Sequence, residues 1–269
     1  MERTQSANRT QQSEPRVRCE EHTFAGQGGD LLRASLFVAE TPVARRPGLL
    51  LVHEVFGPDR HMRALAQRFA RAGHCVLLPD LYSREGLPGP AGSEADPAPA
   101  WEPDTVRAAV AGLPDRRALA DLDAGLLFLG ARDDVRAEDL AVVGLSMGGT
   151  LAFLLGCTST RLAGVVEFYG RPVLLELSAN KPFQPIELAL NLDRPVLAFF
   201  GEEDPEIPAE HVELLRRSLT AGAKDFEIVT YPGAGHGFLN EHRPGFHGPS
   251  ARDAWSRTLT FLNELGGLS

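Results

Sequence analysis

One serine in the sequence lies where a serine can be made reactive. Ser146 is part of residues 144–149, which read GLSMGG, between the apolar run Leu140–Val143 and the apolar segment 150–155. This G-x-S-x-G pattern between a predicted strand and a predicted helix is typical of a nucleophile elbow, a sharp turn that lifts the hydroxyl toward solvent. Glycines flank the turn because side chains there would collide with the strand and the helix. The alternative is a glycine-rich turn with an incidental serine.

A serine hydroxyl is a weak nucleophile unless a base takes its proton, so the hypothesis requires a histidine and an acid later in the chain. His236 lies in residues 232–238, which read PGAGHGF and follow the predicted strand Phe226–Tyr231. The glycines make this loop flexible enough to reach back to the serine. We therefore predict that His236 is the base, and an ordinary surface histidine is the alternative.

The acid is expected between the serine and the histidine along the chain, because this arrangement follows the order serine, acid, histidine. Asp204 lies in residues 201–205, GEEDP, after the predicted strand Pro195–Phe200. The carboxyl ends of parallel strands share one sheet edge, so Asp204 should lie on the same side as the other two residues. Glu202 and Glu203 compete with it for this role.

Acyl transfer also requires hydrogen-bond donors for the developing oxyanion. In this arrangement one donor is the amide that follows the nucleophile, and the other comes from an early loop after a strand. Met147 would supply the first amide. Val55, in the segment 53–57 that reads HEVFG after the predicted strand 48–52, is the candidate for the second.

Metal chemistry is not favoured by the positions of the histidines. His53 and Glu54 would begin an HExxH zinc motif only if position 57 were a histidine, and that residue is Gly57. The three histidines from His236 onward are spaced six and five residues apart, which matches no common ligand pattern. The sequence therefore predicts no metal site.

Composition limits the class of protein that positions these residues. The chain has 269 residues, of which 43% are hydrophobic and 23% charged, as in ordinary globular proteins. Its 27 basic and 36 acidic residues give a net charge of −9, which disfavours nucleic acid and anionic membrane surfaces as partners. The cysteines Cys19, Cys75 and Cys157 are too scattered for a disulfide framework. With no signal peptide visible, these features predict a cytoplasmic protein.

Apolar runs and amphipathic segments alternate along the chain. Near-continuous apolar runs, typical of strands buried on both faces, occur at 48–52, 75–78, 140–144, 165–169, 195–200 and 226–231. Apolar residues spaced three or four apart, typical of helices, occur at 62–69, 119–129, 212–219 and 255–262. This alternation predicts an α/β fold with a doubly wound, mostly parallel sheet flanked by helices.

Three regions depart from this alternation. The segments 23–24 and 36–38 could form an antiparallel ribbon at the sheet edge. Segments 84–103 and 170–194 are rich in proline and predict irregular loops, with Trp101 packing the end of the first one. We expect residues 1–16 to be a disordered tail and residues 17–269 to form one domain.

Taken together, these motifs resemble the dienelactone hydrolase family of the α/β-hydrolase superfamily. The likeness extends over about residues 48–262. It rests on HEVFG at 53–57, PDLY at 79–82, the elbow, FYG at 168–170, Asp204, and AGHGF at 234–238. The resemblance implies an α/β-hydrolase fold without a large lid domain, hydrolysis of esters or lactones, and no cofactor. It also implies that Glu54 lies beside the nucleophile, although a purely structural Glu54 remains an alternative.

The sequence departs from the family pattern in two ways. The family nucleophile is typically cysteine, whereas this chain has Ser146, which must rely on general-base help because an alkoxide is not accessible near neutral pH. The family binds a substrate carboxylate with arginines, one of them four residues after the catalytic histidine. Here that position is Asn240, and the nearest cation to the other position is Arg107. We therefore expect weaker binding of anionic substrates such as dienelactone.

The predicted function is a serine hydrolase that cleaves carboxylic ester or lactone bonds of small molecules through an acyl-enzyme. Its substrate pocket is predicted to be shaped by the loops 84–114 and 171–194, with contributions from Phe56, Tyr82, Trp101 and Phe238. A peptidase or acyltransferase with the same three residues, or a non-catalytic ligand-binding protein, remain alternatives. The sequence does not determine the oligomeric state.

Overall fold

The computed structural model describes residues 14–85 and 103–266. Within these ranges, eight strands form one sheet in the order β1-β2-β4-β3-β5-β6-β7-β8. The strands are β1 Val17–Ala25, β2 Leu31–Ala39, β3 Arg46–Val52, β4 Cys75–Pro79, β5 Val135–Leu145, β6 Gly164–Phe168, β7 Val196–Gly201 and β8 Phe226–Tyr231. From β4 to β8 all neighbouring strands are parallel. The predicted mostly parallel sheet is thus confirmed.

Helices cover this sheet. They are α1 Arg60–Arg71, α2 Pro103–Gly112, α3 Asp115–Gly130, α4 Met147–Thr158, α5 Pro185–Leu188, α6 Ala209–Ala221 and α7 Gly248–Leu265. Every residue of β4, β6 and β7 is buried, which is the reason these strands read as continuous apolar runs. The fold is that of an α/β hydrolase, as the sequence predicts.

The helix signals in the sequence correspond to faces packed on the sheet. In α1, Met62, Leu65 and Phe69 are buried, and the carboxylate of Asp59 accepts a hydrogen bond from the Met62 amide at 3.0 Å to cap the first turn. The chain leaves α1 through Gly73, whose φ of +107° disfavours other residues. Both ends of this helix are therefore encoded locally.

The three irregular regions have different outcomes. The predicted N-terminal ribbon is confirmed, because β1 pairs with β2 in antiparallel register from Val17–Ala39 to Ala25–Leu31. The segment 84–114, predicted to be a loop, contains α2, and the segment 170–194 contains the short helix α5. The helical part of each was missed because prolines surround it.

Some predictions fall outside the described ranges. Trp101 and residues 1–13 of the predicted tail lie outside them. Of its remaining residues, Arg16 accepts a hydrogen bond at its carbonyl from the Glu40 amide at 2.8 Å. Among the described helices, none combines the length and the apolar composition that crossing a bilayer requires.

The strand order places the chemically active residues together. The chain passes from β3 to β4 on one side and then to β5 on the other, so the carboxyl ends of β3 and β5 flank a topological switch point. Ligands of open α/β sheets bind outside the strand ends at such a point. Glu54 follows β3, and Ser146 follows β5.

Candidate active site

The serine sits on a strained turn. Ser146 has φ of 54° and ψ of −118°, a conformation that costs a non-glycine residue about 1–3 kcal/mol. The residues two positions before and after Ser146 must be glycine. A Cβ on Gly144 would lie 1.9 Å from the Gly148 carbonyl oxygen, and a Cβ on Gly148 would lie 2.3 Å from the Val52 carbonyl oxygen. The turn therefore packs directly against the end of β3, and the strain is retained by the surrounding structure.

A histidine and a carboxylate complete a hydrogen-bonded chain from this serine. Ser146 Oγ lies 2.8 Å from His236 Nε2, and His236 Nδ1 lies 2.8 Å from Asp204 Oδ2. Because a carboxylate can only accept, Nδ1 carries the ring proton, and Nε2 is left to accept the serine proton. The structure thus brings together the three residues singled out from the sequence, whereas Glu202 and Glu203 are exposed.

Asp204 is held by the backbone that follows it. Its Oδ1 accepts hydrogen bonds from the amides of Glu206 at 2.8 Å and Ile207 at 3.2 Å, and its side chain has no exposed surface. These bonds fix the carboxylate while Oδ2 remains directed at His236. A rigid orienting group of this kind holds the imidazole in one tautomer.

The electrostatic environment of His236 favours a protonated ring. Burial lowers the pKa of His236, but the hydrogen bond from the ring to Asp204 and the charges of Asp204 and Glu206 raise it more, so the net pKa lies above the usual value. The imidazolium formed by taking a proton from the serine would therefore be stabilised.

The two residues predicted to supply the oxyanion donors both contact one tyrosine through other atoms. The hydroxyl of Tyr82 lies 3.2 Å from the Val55 carbonyl oxygen and 3.4 Å from Met147 Sδ. It donates to the carbonyl, which connects the loop after β3 to the first residue of α4. Tyr82, predicted to be a pocket residue, is buried and also contacts His53, with ring centroids 5.2 Å apart.

Glu54 is buried near the hydrogen-bonded series Ser146–His236–Asp204 but is not part of it. Its Oε1 accepts a hydrogen bond from the Tyr169 hydroxyl at 3.2 Å, and its Oε2 accepts one from Asn240 Nδ2 at 3.0 Å. Burial raises the pKa of Glu54, while the Asn240 hydrogen bond opposes this effect. Asn240, at the position where the resemblance implies an arginine, therefore binds a protein carboxyl group.

The remaining predicted pocket residues differ in exposure. Phe56 is half-buried, and the guanidinium carbon of Arg243 lies 3.7 Å from the centre of its ring. Phe238 is fully buried and packs edge-on against Tyr169 and Tyr231 at 5.3 and 5.4 Å. Phe238 belongs to residues 232–247 between β8 and α7, which we call the histidine loop. Its ring contacts anchor this loop to the aromatic core.

Sequence reasoning missed two residues. Tyr169 lies edge-on to His236, with ring centroids 5.1 Å apart, and has a positive φ of 40° that turns the chain directly after β6. Arg243 acts electrostatically on Glu54 as well as covering Phe56. For Tyr169 a signal existed, since it follows a predicted strand as the other site residues do. No pattern distinguished Arg243.

Comparisons with known proteins identify the family of the chain. The sequence model of the dienelactone hydrolase family matches residues 32–266. The chain belongs to the dienelactone hydrolase family. It is therefore a hydrolase of the lactone- and ester-cleaving kind, with the α/β-hydrolase fold of that family.

Individual relatives cover most of the chain. A Salmonella typhimurium protein named "Putative carboxymethylenebutenolidase" is 36% identical over 221 residues, which is 82% of this chain and 78% of the relative. A Yersinia pestis protein of the same name is 33% identical over 250 residues, covering 93% and 90%. A crystal structure from Klebsiella pneumoniae named "Putative Dienelactone Hydrolase" has 31% identity and a TM-score of 0.83, covering 92% of this chain and 99% of that one.

Proposed function

We propose that this dienelactone hydrolase family member is a serine hydrolase that cleaves carboxylic esters or lactones through an acyl-enzyme. One observation carries the proposal: Ser146 Oγ and His236 Nε2 are 2.8 Å apart while Asp204 occupies the other ring nitrogen. This is hydrogen-bond distance for proton transfer, and the tautomer is the one that a general base requires.

The reaction follows from these contacts. Ser146 Oγ attacks the carbonyl carbon while His236 Nε2 takes the hydroxyl proton, and the amides of Val55 and Met147 donate to the resulting oxyanion. Collapse of the tetrahedral species breaks the carbon–oxygen bond, and His236 gives its proton to the leaving oxygen. Water then attacks the acyl-serine ester by the same steps. With a lactone, the leaving oxygen stays attached to the acyl group and the product is a hydroxy acid.

Two features disfavour anionic substrates. The position for which the family resemblance implies a carboxylate-binding arginine carries Asn240, and its amide is already bonded to Glu54. A carboxylate placed near buried Glu54 would gain no charge-assisted contact from that side. We therefore propose neutral esters and lactones as the favoured substrates.

The test combines covalent labelling with turnover. The protein and its Ser146→Ala variant are treated with a fluorophosphonate and weighed intact, and hydrolysis of short-chain nitrophenyl esters and of a neutral five-membered lactone is measured. We expect one adduct that depends on Ser146, and a fall in turnover by about six orders of magnitude in Ser146→Ala.

Ser256→Ala is the matched control, because Ser256 is exposed on α7 and lies outside the two loops predicted to shape the substrate pocket. This variant should label and turn over normally. Absence of both the adduct and turnover in folded protein would contradict the serine mechanism and favour a ligand-binding role. Transfer of the acyl group to an added amine in preference to water would favour an acyltransferase.

A further inference from the structure

A cavity that takes no part in the proposed reaction lies against the histidine loop. It has a volume of about 350 Å³ and is enclosed by α1, α7 and the chain between Leu239 and Gly248. We call it the α1–α7 cavity. The lining side chains used below are His61, Arg68, Glu241, Phe246, Arg252 and Trp255. Its volume is within the range of small-molecule sites.

A buried histidine in its wall lacks a partner. His61 is only 7% exposed, and within residues 14–85 and 103–266 its Nε2 has no hydrogen-bond partner. Burial and, to a smaller extent, the nearby charges of His242, Arg68 and Arg243 lower its pKa to about 4. The ring is therefore neutral near pH 7. A buried polar atom without a partner is costly, so Nε2 would gain from a hydrogen-bond acceptor brought within its reach.

Two arginine side chains line the same cavity. Neither Arg68 nor Arg252 has an ion-pair partner within 4.0 Å in the part of the chain that the structure describes. The guanidinium carbon of Arg68 lies 4.0 Å from the centre of the Trp255 ring, so one face is stacked and its N–H edge is available. Glu241 also lines the cavity and acts electrostatically on Arg68, but its ion pair, at 3.9 Å, is with His242.

The rest of the lining is apolar. Leu65, Leu239 and Ala251 are buried in the wall, while Phe246 at the rim is 44% exposed. The amino end of α7, at Gly248, also lines the cavity, and the structure gives it no side-chain cap. This end adds partial positive charge to the same space.

We propose that the α1–α7 cavity binds a small organic carboxylate with an aromatic or aliphatic body. The carboxylate would accept hydrogen bonds from Arg68 and Arg252, and His61 Nε2 would donate to it in the tautomer that carries its proton there. The body would pack on Trp255 and Phe246. This site is separate from Ser146, because none of the residues that take part in the proposed reaction lines the cavity.

The experiment is calorimetric titration of the whole protein with 4-phenylbutanoate, its neutral amide 4-phenylbutanamide, and inorganic phosphate. We expect one saturable site for 4-phenylbutanoate, with binding about 10- to 100-fold weaker for the amide, because a charged hydrogen bond is lost. Phosphate should bind more weakly than the carboxylate because it gains nothing from the apolar wall.

Four variants locate the site. Arg68→Met and Arg252→Met should each weaken 4-phenylbutanoate binding about tenfold or more. Ala251→Phe should abolish it by filling the cavity. Arg217→Met on α6 removes one charge from an exposed arginine that pairs with Glu213, and it should bind as the unmodified protein does. Thermal melting verifies that each variant is folded.

Three outcomes would overturn the proposal. One is the absence of saturable binding. Another is binding unchanged in both folded arginine variants, which would place the ligand elsewhere. The third is equal affinity for acid and amide, which would show that the cavity recognises apolar surface only.

Discussion

Two carboxyl groups at the same edge of the sheet are treated differently by the protein. Asp204, after β7, accepts two backbone amides and the ring of His236. Glu54, after β3, is equally inaccessible, but its partners are the neutral groups of Tyr169 and Asn240. Asp204 therefore has three donors, one of which can become a cation. Two neutral donors offset less of the cost of burying a charge.

The difference shows that the hydrogen-bond partners of a carboxyl group, rather than its residue type or its position in the fold, determine its role in the site. Raising the pKa of one carboxyl group while pairing the other with a base is the arrangement by which enzymes give distinct tasks to similar groups. We infer that Asp204 orients His236, whereas Glu54, whose pKa is raised by burial, acts as a hydrogen-bond acceptor for Tyr169 and Asn240.

The largest expected effect is in Asp204→Asn. The amide would not hold the His236 proton on Nδ1, so kcat for a nitrophenyl ester should fall about 10⁴-fold. Glu203→Gln is the matched control, because Glu203 is exposed next to it in the chain. A fall of less than tenfold in Asp204→Asn would remove the proposed distinction between the two carboxyl groups.

A smaller effect is expected in Glu54→Gln. A neutral side chain of the same shape can keep bonds to Tyr169 and Asn240, so kcat/KM at neutral pH should change by less than about tenfold. Steady-state kinetics at several pH values measure this change. If kcat/KM falls as far as in Asp204→Asn, Glu54 works as an anion, and the comparison between the two groups fails.

The smallest effect concerns the pH profile. The raised pKa of His236 places the acid limb of kcat/KM above the usual histidine value, because only the neutral ring acts as base. In Glu206→Gln a negative charge near the ring is lost and the imidazolium is less stable. The limb should therefore move to lower pH by a few tenths of a unit. Glu213→Gln on α6 is the control, and a shift to higher pH would contradict the assignment.

The sheet and the serine turn could be predicted because their signals are local. Strands buried on both faces must be continuously apolar. A Cβ on Gly144 would collide with Gly148, four residues along the chain, and a Cβ on Gly148 would collide with the end of β3. The order of Ser146, Asp204 and His236 adds a constraint that one fold imposes on three distant segments.

The surroundings of Glu54 could not be predicted in this way. Tyr169 is 115 residues away from it in the sequence, and Asn240 is 186 residues away. The position of Tyr169 after a predicted strand indicates that it lies near the site. Neither residue has a spacing or flanking pattern that indicates a contact with a carboxyl group. Such pairs depend on how separate strand ends meet in space, and sequence periodicity carries information about each segment alone.

The histidine loop has two faces, and this has a thermodynamic consequence. His236 lies on one face, whereas Leu239 and Phe246 line the α1–α7 cavity on the other. If occupation of the cavity changes the affinity of the serine site for an inert substrate analogue by some factor, the analogue must change the affinity of the cavity by the same factor. The coupling free energy is therefore a single quantity that can be measured from either face of the loop.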